Sequence, residues 1–306
     1  MHWQTSRFLI DLARPQVMGI VNVTPDSFSD GGLYASTTLA LRHAERLLAA
    51  GADLLDIGGE SSRPGAATLP LAEELARVLP VVREAVRLGV PISVDTYKPA
   101  VMQAVLDLGA DIINDIWAMR WAAPPDRAAG ASQVVARHPR CGVCLMHMHG
   151  NPTNMQTTPM QGDAVAPVLD FLRQAAQDLG AQGVPQNRIV LDPGIGFGKT
   201  PAQNFALLGQ QSQLLQLGYP LLVGWSRKSS LAPFSGAPDA LTAVSSGAAP
   251  AAHPRMVASV AAALLAVQQG AAVVRVHDVA ETVQALGVWS ASGLQPASHH
   301  ERGFGA

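Results

Sequence analysis

Gly109-Ala-Asp-Ile-Ile-Asn114-Asp115 reads as a helix stop that passes at once into a strand. Glycine suits the left-handed residue that ends a helix, and the run after it is short, apolar and β-branched. The phrase recurs as Gly51-Ala-Asp before Leu-Leu-Asp56-Ile, and as Gly270-Ala-Ala before Val273-Val-Arg275-Val-His277. Outward from these three, further short apolar runs give candidate strands at 17–22, 53–57, 91–95, 111–114, 143–148, 189–192, 221–225 and 273–277. Helical periodicity fills the spaces between them, over 37–50, 71–88, 99–108, 164–180, 202–217 and 254–269. Strands alternating with helices pair in parallel through right-handed crossovers. Eight such units in a chain of 306 residues fit an α/β (β/α)8 TIM barrel, which typically takes roughly 250 residues. A doubly wound open sheet is the rival that the count alone leaves open. The expected layout is one domain over 1–306, with a core from about 15 to 290 and a flexible tail over about 291–306. The stretches 117–130 and 233–253 read as surface insertions, the second rich in Ala, Ser, Gly and Pro.

Composition narrows the function classes. Hydrophobic residues make up 48% and charged residues 14%, so the chain can bury a large core. Lys and Arg number 21 against 23 Asp and Glu, a net charge of -2. That balance offers no electrostatic footprint for nucleic acid or a membrane surface. The apolar stretch around 257–274 is interrupted by Gln268, Gln269 and Gly270 and reads as a buried helix and strand rather than a membrane span. The first residues lack the basic-then-apolar run of a signal peptide, and two cysteines cannot make a disulfide scaffold, so the expected location is the cytoplasm.

The candidate strand ends are polar: Asn22, Asp95, Asn114, Asp192, then Lys228 after the seventh strand and Arg275 and His277 on the eighth. In a barrel these ends converge on one mouth, where catalytic groups sit. Residues two apart on a strand share a face, so Arg275 and His277 point with Val273, away from Val274 and Val276. Carboxylates, amides and cations on one mouth suit a polar heterocycle joined to an anionic group.

Three motifs mislead. Gly194-Ile-Gly-Phe-Gly198-Lys199-Thr200 imitates a phosphate loop, but Pro193 stands where the pattern needs glycine. Cys141 and Cys144 in Cys141-Gly-Val-Cys144-Leu-Met-His147 imitate a metal cluster, yet on a strand they point to opposite faces. Ser226 in Gly224-Trp-Ser-Arg-Lys lacks the second glycine of a hydrolase elbow.

Taken together, the motifs resemble those of the dihydropteroate synthases. Gly19-Ile-Val-Asn22-Val-Thr-Pro-Asp-Ser-Phe28-Ser-Asp resembles that family's opening signature, and Asp56-Ile-Gly-Gly-Glu60-Ser-Ser62-Arg63-Pro64-Gly its second. Ser93-Val-Asp95-Thr, Ile113-Asn114-Asp115, Leu145-Met-His-Met148, Asp192-Pro-Gly-Ile-Gly-Phe197-Gly-Lys, Gly224-Trp-Ser-Arg227-Lys228-Ser229 and Arg275-Val-His277-Asp278 follow in the family's order. The similarity covers about 17–286; the longer 233–253 stretch and the Trp-rich segment after Asn114 depart from it without removing a motif residue.

The resemblance implies a TIM-barrel transferase of folate biosynthesis that joins 6-hydroxymethyl-7,8-dihydropterin diphosphate to 4-aminobenzoate, releasing diphosphate. It implies Mg2+ held at Asn22, a homodimer, and sulfonamide inhibitors. By the resemblance the pterin lies on Asp95, Asn114, Met148, Asp192, Phe197 and Lys228. The diphosphate lies on Asn22, Ser62, Arg63, Arg275 and His277. The amine lies on Phe28, Ser62, Arg63, Pro64, Phe197, Lys228 and Ser229, and Asp95, Lys228 and Arg63 carry the catalysis. The alternatives are a module that presents methyltetrahydrofolate to a corrinoid protein, which needs no diphosphate site, and a non-catalytic homologue, which would lack Asp95, Lys228 or Arg275.

Overall fold

The computed structural model describes residues 1–23, 32–61, 65–66, 68–121, 130–235 and 253–297. The chain opens with two three-residue strands, β1 (His2–Gln4) and β2 (Leu9–Asp11), paired antiparallel. Then follow β3 (Gln16–Asn22), α1 (Gly32–Ala49), β4 (Leu54–Gly58), α2 (Leu71–Ala85), β5 (Ile92–Asp95), α3 (Pro99–Asp107), β6 (Ile112–Asp115) and α4 (Ala131–Arg137). The second half runs β7 (Gly142–Met146), α5 (Val165–Ala181), β8 (Ile189–Asp192), α6 (Pro201–Gly209), β9 (Leu222–Val223), α7 (Met256–Gln268), β10 (Val273–Val276) and α8 (Val279–Ala291).

Strands β3 to β10 form one parallel sheet in the order β8-β7-β6-β5-β4-β3-β10-β9. A parallel bridge from Leu191 to Leu221 joins its two ends, so the sheet closes as a barrel rather than opening as a doubly wound sheet. Gly51, Gly109 and Gly270 stand at φ of 99°, 98° and 91°, the left-handed helix stop expected of them.

Strand periodicity divides the core in two. Met18, Leu54, Ile112, Cys144, Val190, Leu222 and Val273 fill the lower barrel interior. Their neighbours Val17, Leu55, Ile113, Val143, Leu191, Val223 and Val274 face outward onto the helices. Cys141 and Cys144 fall in different clusters, as their spacing requires, so they form no chelate.

The core begins earlier than residue 15. Trp3 on β1 is fully buried beneath the interior layer, and its indole donates to the Arg188 carbonyl at 2.9 Å. Arg7 in the connecting turn grips both oxygens of buried Asp111. The hairpin thus plugs the floor of the barrel, and three-residue strands are too short for periodicity to register. The expected strand at 221–225 shortens to Leu222–Val223, and the expected helix at 202–217 breaks at Gln210 into α6 and a 3-10 segment over Gln211–Leu217. There the buried Gln211 side chain donates to the Ala266 and Gln269 carbonyls at the end of α7. The chain stays tied beyond α8: Ala297 N–H donates to the Gln268 carbonyl. Among the described residues no helix is long and apolar enough to cross a membrane. The 236–252 part of the expected long loop and the 122–129 part of the other insertion lie outside the described residues.

Candidate active site

The inward-facing parity continues above the apolar layer and turns polar. Asp56 on β4 is fully buried. Its Oδ2 accepts from Arg275 Nε at 2.6 Å and from Asn114 Nδ2 at 3.2 Å. Arg275 Nη2 donates to Asp95 at 3.1 Å. The strand register enforces this meeting, because Gly58 lies beside Asp95 and Asp95 beside Asn114. Two buried oxygens in this layer, Asp56 Oδ1 and Ser93 Oγ, have no hydrogen-bond partner among the described residues. Orphaned buried acceptors and donors are rare in folded proteins and mark ligand sites when they cluster.

Desolvation dominates the electrostatics. Burial pushes Asp95 well above the ordinary carboxylate range, with Arg275 pulling it back. Burial raises Asp192 to about 6, against the Gly194 N–H donated to its Oδ1 at 2.7 Å and the charges of Lys228, Lys199 and Arg275. Burial lowers Lys228 to about 8, against Asp192. Burial also opposes the charge on Arg275, but Asp56 and Asp95 outweigh it and raise its pKa. Perturbed groups crowded at one barrel mouth are a functional signature.

An apolar wall faces them, built from Tyr97, Ile116, Met146, Met148, Met155 and Phe197. Lys228 Nζ lies 4.2 Å from the Phe197 ring centroid, a cation–π contact. The glycine-rich turn that positions Phe197 presses on the β7 loop so closely that a Cβ at Gly194 would collide with the His147 carbonyl. Lys199 points back into this turn and donates to the carbonyls of Gly194, Phe197 and His147. A phosphate-loop lysine points at its ligand, so this one is a structural staple.

His277 and Ser226 form a pair. Ser226 Oγ accepts from the His277 backbone N–H at 3.1 Å and lies 2.9 Å from its Nδ1. The ring tautomer decides which of the two donates in that contact. Arg227, at φ 60°, ion-pairs with Asp278 and carries the chain past the mouth to Lys228.

The structure therefore brings together Asp95, Asn114, Met148, Asp192, Phe197, Lys228 and Arg275. Asn22 is half-buried at the end of β3, and Ser229 is exposed beside Lys228. Phe28, Ser62, Arg63 and Pro64 lie outside the described residues. Sequence reasoning assigned no role to Asp56, although its parity with Leu54 and Gly58 aims it inward. Ser226, set aside as a nucleophile, orients His277 instead. Among the described residues no group of three or more His, Cys, Asp or Glu side chains could hold a metal. A magnesium ion fits the remaining donors only if a ligand's phosphate oxygens supply most of its shell and Asn22 adds one hard oxygen, a mode Mg2+ commonly adopts.

Comparison with known proteins agrees with this geometry. A family described as "Pterin binding enzyme" matches residues 18–277. The dihydropteroate synthase of Neisseria meningitidis serogroup C is 48% identical over 295 residues, covering 95% of this chain and 98% of that protein. The Burkholderia cenocepacia dihydropteroate synthase complexed with 7,8-dihydropteroate superposes with a TM-score of 0.78 at 48% identity, covering 95% of this chain and 96% of that one. The Yersinia pestis enzyme in a sulfonamide drug complex superposes at 0.83 with 44% identity, covering 96% and 99%.

Proposed function

The chain belongs to the pterin-binding enzymes and, within them, to the dihydropteroate synthases, and on that premise we propose how its own residues divide the reaction. The reaction joins 6-hydroxymethyl-7,8-dihydropterin diphosphate to 4-aminobenzoate, giving 7,8-dihydropteroate and diphosphate. The observation that carries the division is the inward layer of Asp56, Asp95, Asn114, Asp192, Lys228 and Arg275 at one mouth.

Asp192 accepts hydrogen bonds from the pterin 2-amino and N3–H groups, a match of carboxylate to paired donors. Asn114 and Asp95 meet other edges, and Lys228 donates to the 4-oxo or N5 side. Met148 and Phe197 give the ring an apolar wall. Loss of diphosphate breaks the exocyclic C–O bond and leaves a cation delocalised into the ring, which the ionised form of Asp95 stabilises. Arg275 Nη1, used in neither ion pair, and the His277 ring donate to the departing diphosphate with Arg63. Asn22 would hold Mg2+, which would supply positive charge to the diphosphate when bound. The amine nitrogen then bonds to the carbon and loses a proton. Phe28, Ser62, Pro64 and Ser229 contribute to its binding place, which sulfonamides share. The enzyme works in the cytoplasm as a homodimer. Buried, unpaired Cys141 and Cys144 suit a reducing compartment. Exposed Val257, Leu265 and Val288 on the adjacent α7 and α8 suit a face between two copies.

The test is an assay of diphosphate release and dihydropteroate formation. Activity is expected only with both substrates and Mg2+. Protein that binds methyltetrahydrofolate yet never forms dihydropteroate would overturn the reading in favour of the corrinoid module.

The pH dependence has a defined sign. Asp95 must be ionised to stabilise the cation and Asp192 to accept, so kcat/KM for the pterin diphosphate falls as pH drops through about 7 and then about 6. Lys228 must be protonated to donate, so it falls again as pH rises through about 8. A rate profile flat from about pH 5 to about pH 9 would remove all three residues from these roles.

A further inference from the structure

The glycine-rich turn after β8 has little order of its own. Gly194, Gly196 and Gly198 all take the left-handed region, at φ of 67°, 82° and 68°. A backbone with glycine at every second position is free to adopt many other shapes until something holds it. Yet three residues of the pterin wall depend on the shape it takes. The Gly194 N–H fixes Asp192 Oδ1 at 2.7 Å. Phe197 belongs to the turn itself, and a Cβ at Gly196 would lie 3.2 Å from Cδ of Lys228. Lys199 ends the turn and points back into it. Its Nζ donates to the Gly194 carbonyl at 2.9 Å, the Phe197 carbonyl at 3.2 Å and the His147 carbonyl at 3.3 Å. One ammonium thus ties two points of the turn to each other and to the chain leaving β7. His147 is joined to the floor in turn, because its N–H donates to the Asp192 carbonyl at 3.0 Å.

Folding alone does not call for a cation there. The Gly194 carbonyl also accepts from the Phe197 N–H at 3.1 Å, and the Phe197 carbonyl from the His149 N–H at 3.4 Å, so each keeps a partner without Lys199. All three acceptors of the ammonium are neutral, and burial pushes its pKa down to about 7, with Asp192 pulling it back up. An apolar side chain of similar volume is often no less stable than a buried cation. Lys199 is 2% exposed, so it does not itself meet a ligand. What it achieves is geometric. A turn held at its carbonyls has lost its alternative shapes before a ligand arrives, so binding does not have to order it.

We propose that Lys199 is a positioning residue for the pterin half of the site: through the carbonyls of Gly194, Phe197 and His147 it sets the carboxylate of Asp192 and the ring of Phe197 without touching the substrate. This rests on the placement of the pterin on those two residues.

Lys199→Met keeps roughly the length of the side chain and removes its donors. Affinity for a bare pterin, measured by calorimetry, is expected to fall about tenfold, as misplacement of binding groups does. Free-diphosphate affinity should stay within about twofold, because Arg275 and His277 come from β10 and the residue after it, not from this turn. A general loss of order would weaken both, so the split separates positioning from support of the fold. Lys199→Gln, uncharged and one atom shorter but still a donor, should show the same split with a smaller pterin loss, and it carries the test if Lys199→Met does not fold. In Lys199→Met/Asp192→Asn the pterin loss should be less than the sum of the two single losses, since one residue acts through the other. Equal losses of pterin and diphosphate, or full additivity in the double variant, overturn the proposal. Failure of both single variants to fold overturns it too, because Lys199 then serves the fold. So does an unchanged pterin affinity in Lys199→Met where Asp192→Asn loses it. If Asp192→Asn keeps full pterin affinity as well, the placement of the pterin is what has failed, and the proposal falls with it.

Discussion

Arg275→Met is expected to cost about 3–5 kcal/mol of folding stability, the usual price of leaving a buried charge without its partner. Arg275 holds Asp56, which is fully buried, and Asp95, whose side chain is 13% exposed. Without it, both carboxylates face each other across a dry barrel. Asp95 already lies above its unfolded range because burial disfavours its charge, and Arg275 is the group holding it down. In the variant its folded pKa climbs further. Keeping that carboxyl protonated in the folded protein while it ionises in the unfolded chain is then a penalty that shrinks as pH falls below the folded pKa and is gone below the unfolded range, so the gap to the wild type should narrow in acid. Denaturant midpoints measured at several pH values check this. A variant equally stable at all of them would mean that the ion pairs contribute nothing and that Arg275 is kept for ligand alone. Arg275 is thereby both a strut and a ligand, and the two roles separate in a further measurement. Free-diphosphate affinity should fall more than bare-pterin affinity, and equal losses would remove Arg275 from the diphosphate site.

Asp192→Asn is expected to lose about 2–5 kcal/mol of pterin affinity while the protein stays folded. Asp192 Oδ1 is engaged by the Gly194 N–H at 2.7 Å. An asparagine keeps its carbonyl oxygen on that N–H, which preserves the turn, and so must turn its NH2 toward the ligand. Donors then meet the pterin's own donors where a carboxylate accepted them. Calorimetry with a bare pterin reads the loss directly. Unchanged affinity would mean that Asp192 serves only to hold the turn, and that the pterin lies with another edge toward it.

The alternation of apolar runs and helical periods was sufficient for the barrel, because both periods follow from local backbone geometry and each unit repeats the same solution. It also aimed Arg275, Asp95 and Asn114 at one another, since strand parity is local. The glycine stops at 51, 109 and 270 were readable for the same reason. What local rules could not supply was which inward residues touch. Asp56 and Arg275 are 219 positions apart and meet only because the barrel closes between β10 and β3. Lys199 becomes a staple and Ser226 the partner of His277 only in the folded chain, roles that depend on which carbonyl or ring faces each side chain. The hairpin of β1 and β2 was invisible because its strands owe their order to Trp3 buried against the barrel floor, not to their own propensity. Lys98 belongs to the same class: next to proline in the sequence it reads as an ordinary helix start, and only folding gathers Glu60, Leu69 and Glu74 around its ammonium. Periodicity, which acts between neighbours, is written in the chain; the pairing of buried charges, which acts across it, exists only once the chain has closed on itself.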